Sequence, residues 1–142
     1  MKTPIMLKIV LGLCGLVAMA IATKILFSPE CFYAANHINL HHNVNLLSEI
    51  RAPATALFVY GLVIFLGIFI SQLTLTSTVL STLLYCSYGI GRILSMFLDG
   101  QPIDNLVVAA GIEILLGIVS LVCLVKYVNA NQKIDFNSNN IS

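Results

Sequence analysis

Four apolar blocks of about 20 residues, each the length needed to cross a hydrocarbon core, constrain this chain more than any other feature. They run Ile5 to Phe27, Ala52 to Ile70, Val79 to Leu98, and from Ile103 or Leu106 to Val125. Apolar residues make up 58% of the chain and charged residues 9%, against roughly 25% charged in an ordinary soluble domain. Four such blocks with their connectors use nearly all of the 142 residues. The expected fold is therefore all-α: one antiparallel bundle of four transmembrane helices over residues 1–128, with spans near 5–27, 52–70, 79–98 and 104–126. A polar, disordered tail is expected over 129–142, where the sequence turns Asn-rich.

The first block follows Lys2, holds Lys8 near its start and could pass for a secretory signal, but it is long for one. It reads as a retained first helix, with Gly12, Gly15, Ala18 and Ala22 close to one face where a second helix could approach. The connector over 28–50 holds His37, His41 and His42. If helical, it would put His37 and His41 on one face at i,i+4, a spacing that metals use. No carboxylate or cysteine completes a set, so they remain weak metal candidates, and no metal or other cofactor is expected. The four cysteines lack C-x-x-C spacing; Cys14, Cys86 and Cys123 fall in apolar blocks and read as small hydrophobes, with Cys31 a lone loop thiol.

The second span opens on Glu49, Ile50, Arg51, Ala52 and Pro53, and proline suits a first helical turn. Glu49, Pro53, Ala56, Tyr60, Gly67 and Ser71 form its least oily face, expected to point inward. Arg51 falls elsewhere, facing either the site or lipid headgroups. Ser71 to Thr78 reads as a turn. In the third span Ser81, Tyr85, Tyr88, Arg92, Ser95 and Asp99 recur at alternating intervals of four and three, a single polar seam. Asp99-Gly100-Gln101-Pro102 then makes a tight turn.

Arg92 carries the chemistry. It lies about 9 Å below the end of the apolar run at 1.5 Å per residue. A charge at mid-membrane costs about 2.5 to 3.5 kcal/mol, and the apolar residues of the span return about 3 to 5. Arg92 therefore calls for a partner. Glu113, alone in the fourth block, sits about 10 to 15 Å into its helix. Side chains lean toward their own helix N-terminus, so on antiparallel neighbours these two lean together. The expectation is an Arg92–Glu113 ion pair, with Tyr88, Ser95 and Tyr60 as hydrogen-bond partners and Asp99 or Glu49 nearer the mouth. Ala109 or Ala110, Gly117 and Ser120 complete the small and polar face of the last helix.

Glu49 to Ala52, Gly91-Arg92 followed by Asp99 to Pro102, and Glu113 together resemble a small bacterial membrane family known as domain of unknown function 4345. The resemblance implies a four-helix membrane protein and no activity. A more distant likeness to DoxX-like four-helix proteins, some tied to quinone-linked redox chemistry, is one of fold alone.

Lys2, Lys8, Lys126 and Lys133 lie at the end that carries both termini, against Lys24 and Arg51 at the other. The positive-inside rule then puts both termini in the cytoplasm of a cell whose inner membrane holds the chain, with the histidine connector outside. A net charge of +1 without a basic stripe gives no reason to expect nucleic acid. The expected partners are the lipid bilayer and a second copy or another membrane protein, since four helices make a poor conduit alone. There is no nucleophile–base pair, metal signature or nucleotide motif. The leading expectation is thus a non-enzymatic binding, permeation or accessory subunit; the alternative is a membrane enzyme or redox partner for a lipid-soluble, quinone-like substrate.

Overall fold

A computed structural model describes residues 4–139. Five α-helices follow one another: α1 (Ile5–Phe27), α2 (Pro29–Ala34), α3 (Val44–Leu66), α4 (Thr74–Asp99) and α5 (Asp104–Asn139), with a 3₁₀ turn at Ser71–Leu73. Four of them are long and apolar enough to cross a membrane. Ile9, Leu16, Leu83, Ile90, Leu115 and Ile118 stand exposed on their outer faces. So much outward apolar surface suits lipid rather than water, and a helix pairs its interior main-chain groups within itself, as a hydrocarbon layer requires. The protein is a multi-pass membrane protein.

The helices pair. α1 packs chiefly on α3, and α4 chiefly on α5. Small residues set both contacts: a Cβ on Gly15 would stand 2.8 Å from the Gly61 carbonyl, and one on Gly117 would stand 2.9 Å from the Cys86 sulfur. At the end of the bundle that carries the termini the two pairs close on each other. Leu7, Leu11, Cys14, Ile64, Tyr85 and Cys123 form the core there, and the Tyr85 hydroxyl donates to the Cys14 carbonyl at 2.6 Å.

Hydroxyls knit that end. Ser81 and Ser120 share a hydrogen bond of 3.0 Å, and Ser120 lies 3.6 Å from the Cys14 sulfur. Thr74 donates to the Gly67 carbonyl and Ser77 to the Val63 carbonyl. These carbonyls belong to the end of α3, where backbone partners run short: the Gly67 carbonyl lies at its cap, and the Val63 carbonyl otherwise takes only the Gly67 amide at 3.3 Å. Thr78 and Thr82 each donate to the carbonyl four residues back. The stretch expected to be a turn over 71–78 is thus mostly helix, and Thr74, Ser77 and Thr78 are buried while Ser71, Gln72, Leu75 and Thr76 stay exposed. A hydroxyl that bonds its own helix carries no polarity into the bilayer.

Other boundaries move as well. α3 begins at Val44, eight residues before the expected span, because the Asn43 side chain accepts from the Asn45 and Leu46 amides and caps it. Pro53 is consequently inside the helix, not in its first turn, and leaves the Glu49 carbonyl without its usual amide. The inward face of α3 is Ala54, Leu57, Gly61 and Ile64, with Glu49, Pro53 and Tyr60 exposed. That corrects the expected stripe: the face that α1 can approach closely is the one buried, not the most polar one. α5 continues past the expected span to Asn139, there being no Gly or Pro to stop it. The expected tail from 129 is helical to that point, and its last residues, 140–142, lie outside the described residues.

Candidate functional site

At the other end the two pairs part. A cavity of about 560 Å³ lies between them. α1 and α3 supply its apolar wall through Ala18, Ile21, Ala54 and Leu57, and α4 and α5 supply Tyr85, Tyr88, Arg92, Ala109 and Glu113. Phe32 and Tyr33 of α2, with Asn36 and Ile38 after it, roof the space.

Local sequence builds this roof. Pro29 starts α2 immediately after α1 ends, at the position where its missing amide costs nothing. The helix stops in a left-handed turn: His37 has φ of 61°, its amide bonds the Ala34 carbonyl, and the Ile38 amide bonds the Tyr33 carbonyl. His41 and His42 also take positive φ, 48° and 49°. His37 and His41 are turn residues rather than neighbours on a helix face, because the connector is not helical there. Glu30 and His42 pair at 2.5 Å on the surface, beside a hollow of about 390 Å³ that all three histidines line. Among the described residues no three His, Cys, Asp or Glu side chains are grouped to hold a metal.

Arg92 and Glu113 meet in the cavity wall. The Arg92 Nε donates to Glu113 Oε2 at 2.6 Å and Nη2 donates to Oε1 at 3.2 Å. Such two-point pairing fixes both orientation and distance. Glu113 is the more enclosed, with its side chain 13% exposed against 32% for Arg92. Arg92 lies seven residues before the end of α4, about 10 Å along the axis, and Glu113 nine residues into α5, about 14 Å. Antiparallel neighbours bring those depths together.

The remaining candidates divide. Tyr88, one turn before Arg92, lines the same cavity, and its hydroxyl has no hydrogen-bond partner among the described residues. Ser95 donates to Asp99 at 3.0 Å, but both are exposed near the end of α4 and outside the cavity. Glu49, Arg51 and Tyr60 are exposed on α3 and do not reach it. The polar seam of α4 therefore faces inward only from Ser81 to Arg92. Sequence reading passed over Asn36, Asn105 and Tyr33 as lining residues. Tyr33 lies near the end of α2 and Asn36 just after it, so only the way α2 folds back could have singled those two out, while Asn105 is the second residue of α5.

A family model described as domain of unknown function 4345 matches residues 6–124, and the chain belongs to that family. No curated protein and no solved structure matches the chain.

Proposed function

We propose that this member of a family of unknown function is an intramembrane binding protein whose ligand, an amphiphile with an apolar body, sits between the two helix pairs under the α2 roof. The observation that carries the reading is the cavity of about 560 Å³ with a two-point Arg92–Glu113 pair in its wall. A volume of that size is in the range of small-molecule sites, which combine an apolar lining with a few fixed polar groups. Charged groups in a membrane span are costly and mark sites of function more often than they mark simple packing. Binding is favoured over permeation because the space does not run through the bundle. Tyr85 apart, none of its lining residues is among the buried core residues at the end that carries the termini, where Leu11, Ile64, Ser77, Ser81 and Ser120 have zero exposure.

The balance of cationic residues supports an orientation with both termini in the cytoplasm and the roof outside. The protein in lipid nanodiscs, photolabelled with a diazirine-bearing decyl compound, should be modified at lining residues such as Leu57 and Leu106. Labelling spread evenly over outward residues such as Ile90 and Leu115 would remove the site. In intact cells a membrane-impermeant maleimide should modify Cys31, which is free and exposed on α2; protection of Cys31 until lysis would invert the orientation.

A further inference from the structure

We infer that the polar end of the ligand is uncharged and accepts hydrogen bonds, as a ketone, ester or alcohol oxygen does. This inference rests on the binding role proposed above and specifies its ligand class. Three features of the wall carry it.

Charge comes first. Arg92 is already matched by Glu113 at two points, so the wall is electrically balanced before any ligand arrives. An anionic head would have to displace Glu113 from the guanidinium, stranding a carboxylate whose side chain is only 13% exposed. Breaking a buried pair in that way is strongly unfavourable. A cationic head would strand Arg92 by the same argument.

Spare donors come next. Glu113 engages Nε and Nη2, and Nη1 has no acceptor among the described residues. Guanidinium has five N–H donors, so several are left over. The Tyr88 hydroxyl, one turn away on the same face, is likewise uncommitted among the described residues. The wall thus offers donors with their charge already cancelled, which suits an oxygen acceptor.

Last is the division of the lining. The polar groups Tyr88, Arg92 and Glu113 belong to α4 and α5, while α1 and α3 contribute Val17, Ile21 and Leu57. A ligand with one polar end and an apolar body matches both sides at once.

A head-group series on a common tail tests this. In lipid nanodiscs at pH 8 the decyl photoprobe is challenged with 2-decanone, 1-decanol, decanoate, decylammonium and decane at equal membrane mole fraction. The ketone and the alcohol should compete at least tenfold better than either ion or the alkane. If decanoate or decylammonium competes best while Leu57 and Leu106 are still labelled, the inference fails and the binding role stands. Decane matching the ketone would likewise overturn it, since the head would then go unread. If no compound displaces the probe from those residues, the binding role itself is lost. Glu113→Gln supplies a second arm, because it frees the charge of Arg92: preference should swing at least tenfold toward decanoate, and an unchanged ketone preference in the folded variant would refute the inference. Should that variant fail to fold, the wild-type ranking decides alone.

Discussion

The two ends of this bundle bury polar groups in opposite ways. Toward the termini, Ser77, Thr78, Ser81 and Ser120 are fully buried, and their short hydroxyls bond backbone carbonyls or one another across close helix contacts. Toward α2, a long guanidinium and a carboxylate span the gap between α4 and α5, and a cavity lies beside them. Short side chains let backbones approach, so hydroxyls close a bundle. An arginine and a glutamate cannot retract in that way; they brace the wall of a space. The molecule thus has one end that is closed and one that encloses a cavity.

The largest effect expected comes from disturbing the closed contact. Gly117→Val places atoms where even a Cβ would lie 2.9 Å from the Cys86 sulfur and 3.0 Å from its main-chain nitrogen. The main-chain contact cannot yield by a rotamer change, so α4 and α5 must separate. Overpacking of this kind should cost about 3 kcal/mol, read by denaturant titration in mixed micelles. A loss below about 1 kcal/mol would mean that the closed end is looser than its burial implies.

Next in size is the brace. Glu113→Ala leaves Arg92 unpaired. A fully buried pair broken on one side costs about 3 to 5 kcal/mol, and since a third of Arg92 is exposed the loss here should be about 2. The comparison sharpens with Arg92→Met/Glu113→Met, which removes both charges and keeps apolar bulk. Its stability should recover to within about 1 kcal/mol of wild type while selectivity among head groups disappears. If stability recovered and selectivity also persisted, the pair would be a latch between helices with no part in binding.

What could be read from the chain follows the same division. α1 matches its expected bounds because Pro4 and Ser28-Pro29 fence an apolar run whose only charges, Lys8 and Lys24, lie near its two ends. Arg92 and Glu113 could be matched in advance because depth and lean are fixed by helix geometry alone. Tyr60 and Glu49 could not be placed that way. Which face of α3 turns inward is decided by the partner surface of α1, where Gly15 and Ala18 admit Gly61, and polarity along α3 carries no record of it. Ser95 and Asp99 continue the seam of Arg92 in sequence, yet the end of α4 stands clear of its neighbours, so a continuous pattern outlasts the contact that gives it meaning. The buried hydroxyls of 71–78 were hidden by the same rule that makes Ser and Thr common in turns. Their partners, the final carbonyls of α3, become available only once α3 and α4 have folded back on each other.

The smallest effect on stability should come from filling the open end. Ala109 lines the cavity on α5, one turn before Glu113. Ala109→Leu adds apolar volume where space exists, so no main chain needs to move and stability should stay within about 1 kcal/mol of wild type. Photolabelling of Leu57 by the decyl probe should nevertheless fall at least tenfold, because the larger side chain occupies the room of the ligand body. The contrast with Gly117 lies two turns along the same helix, and helix propensity cannot explain it, since Gly→Val raises propensity and Ala→Leu lowers it only slightly. Should Ala109→Leu destabilise as strongly as Gly117→Val, the two ends would be packed alike, and the space between the helix pairs would not be a binding cavity.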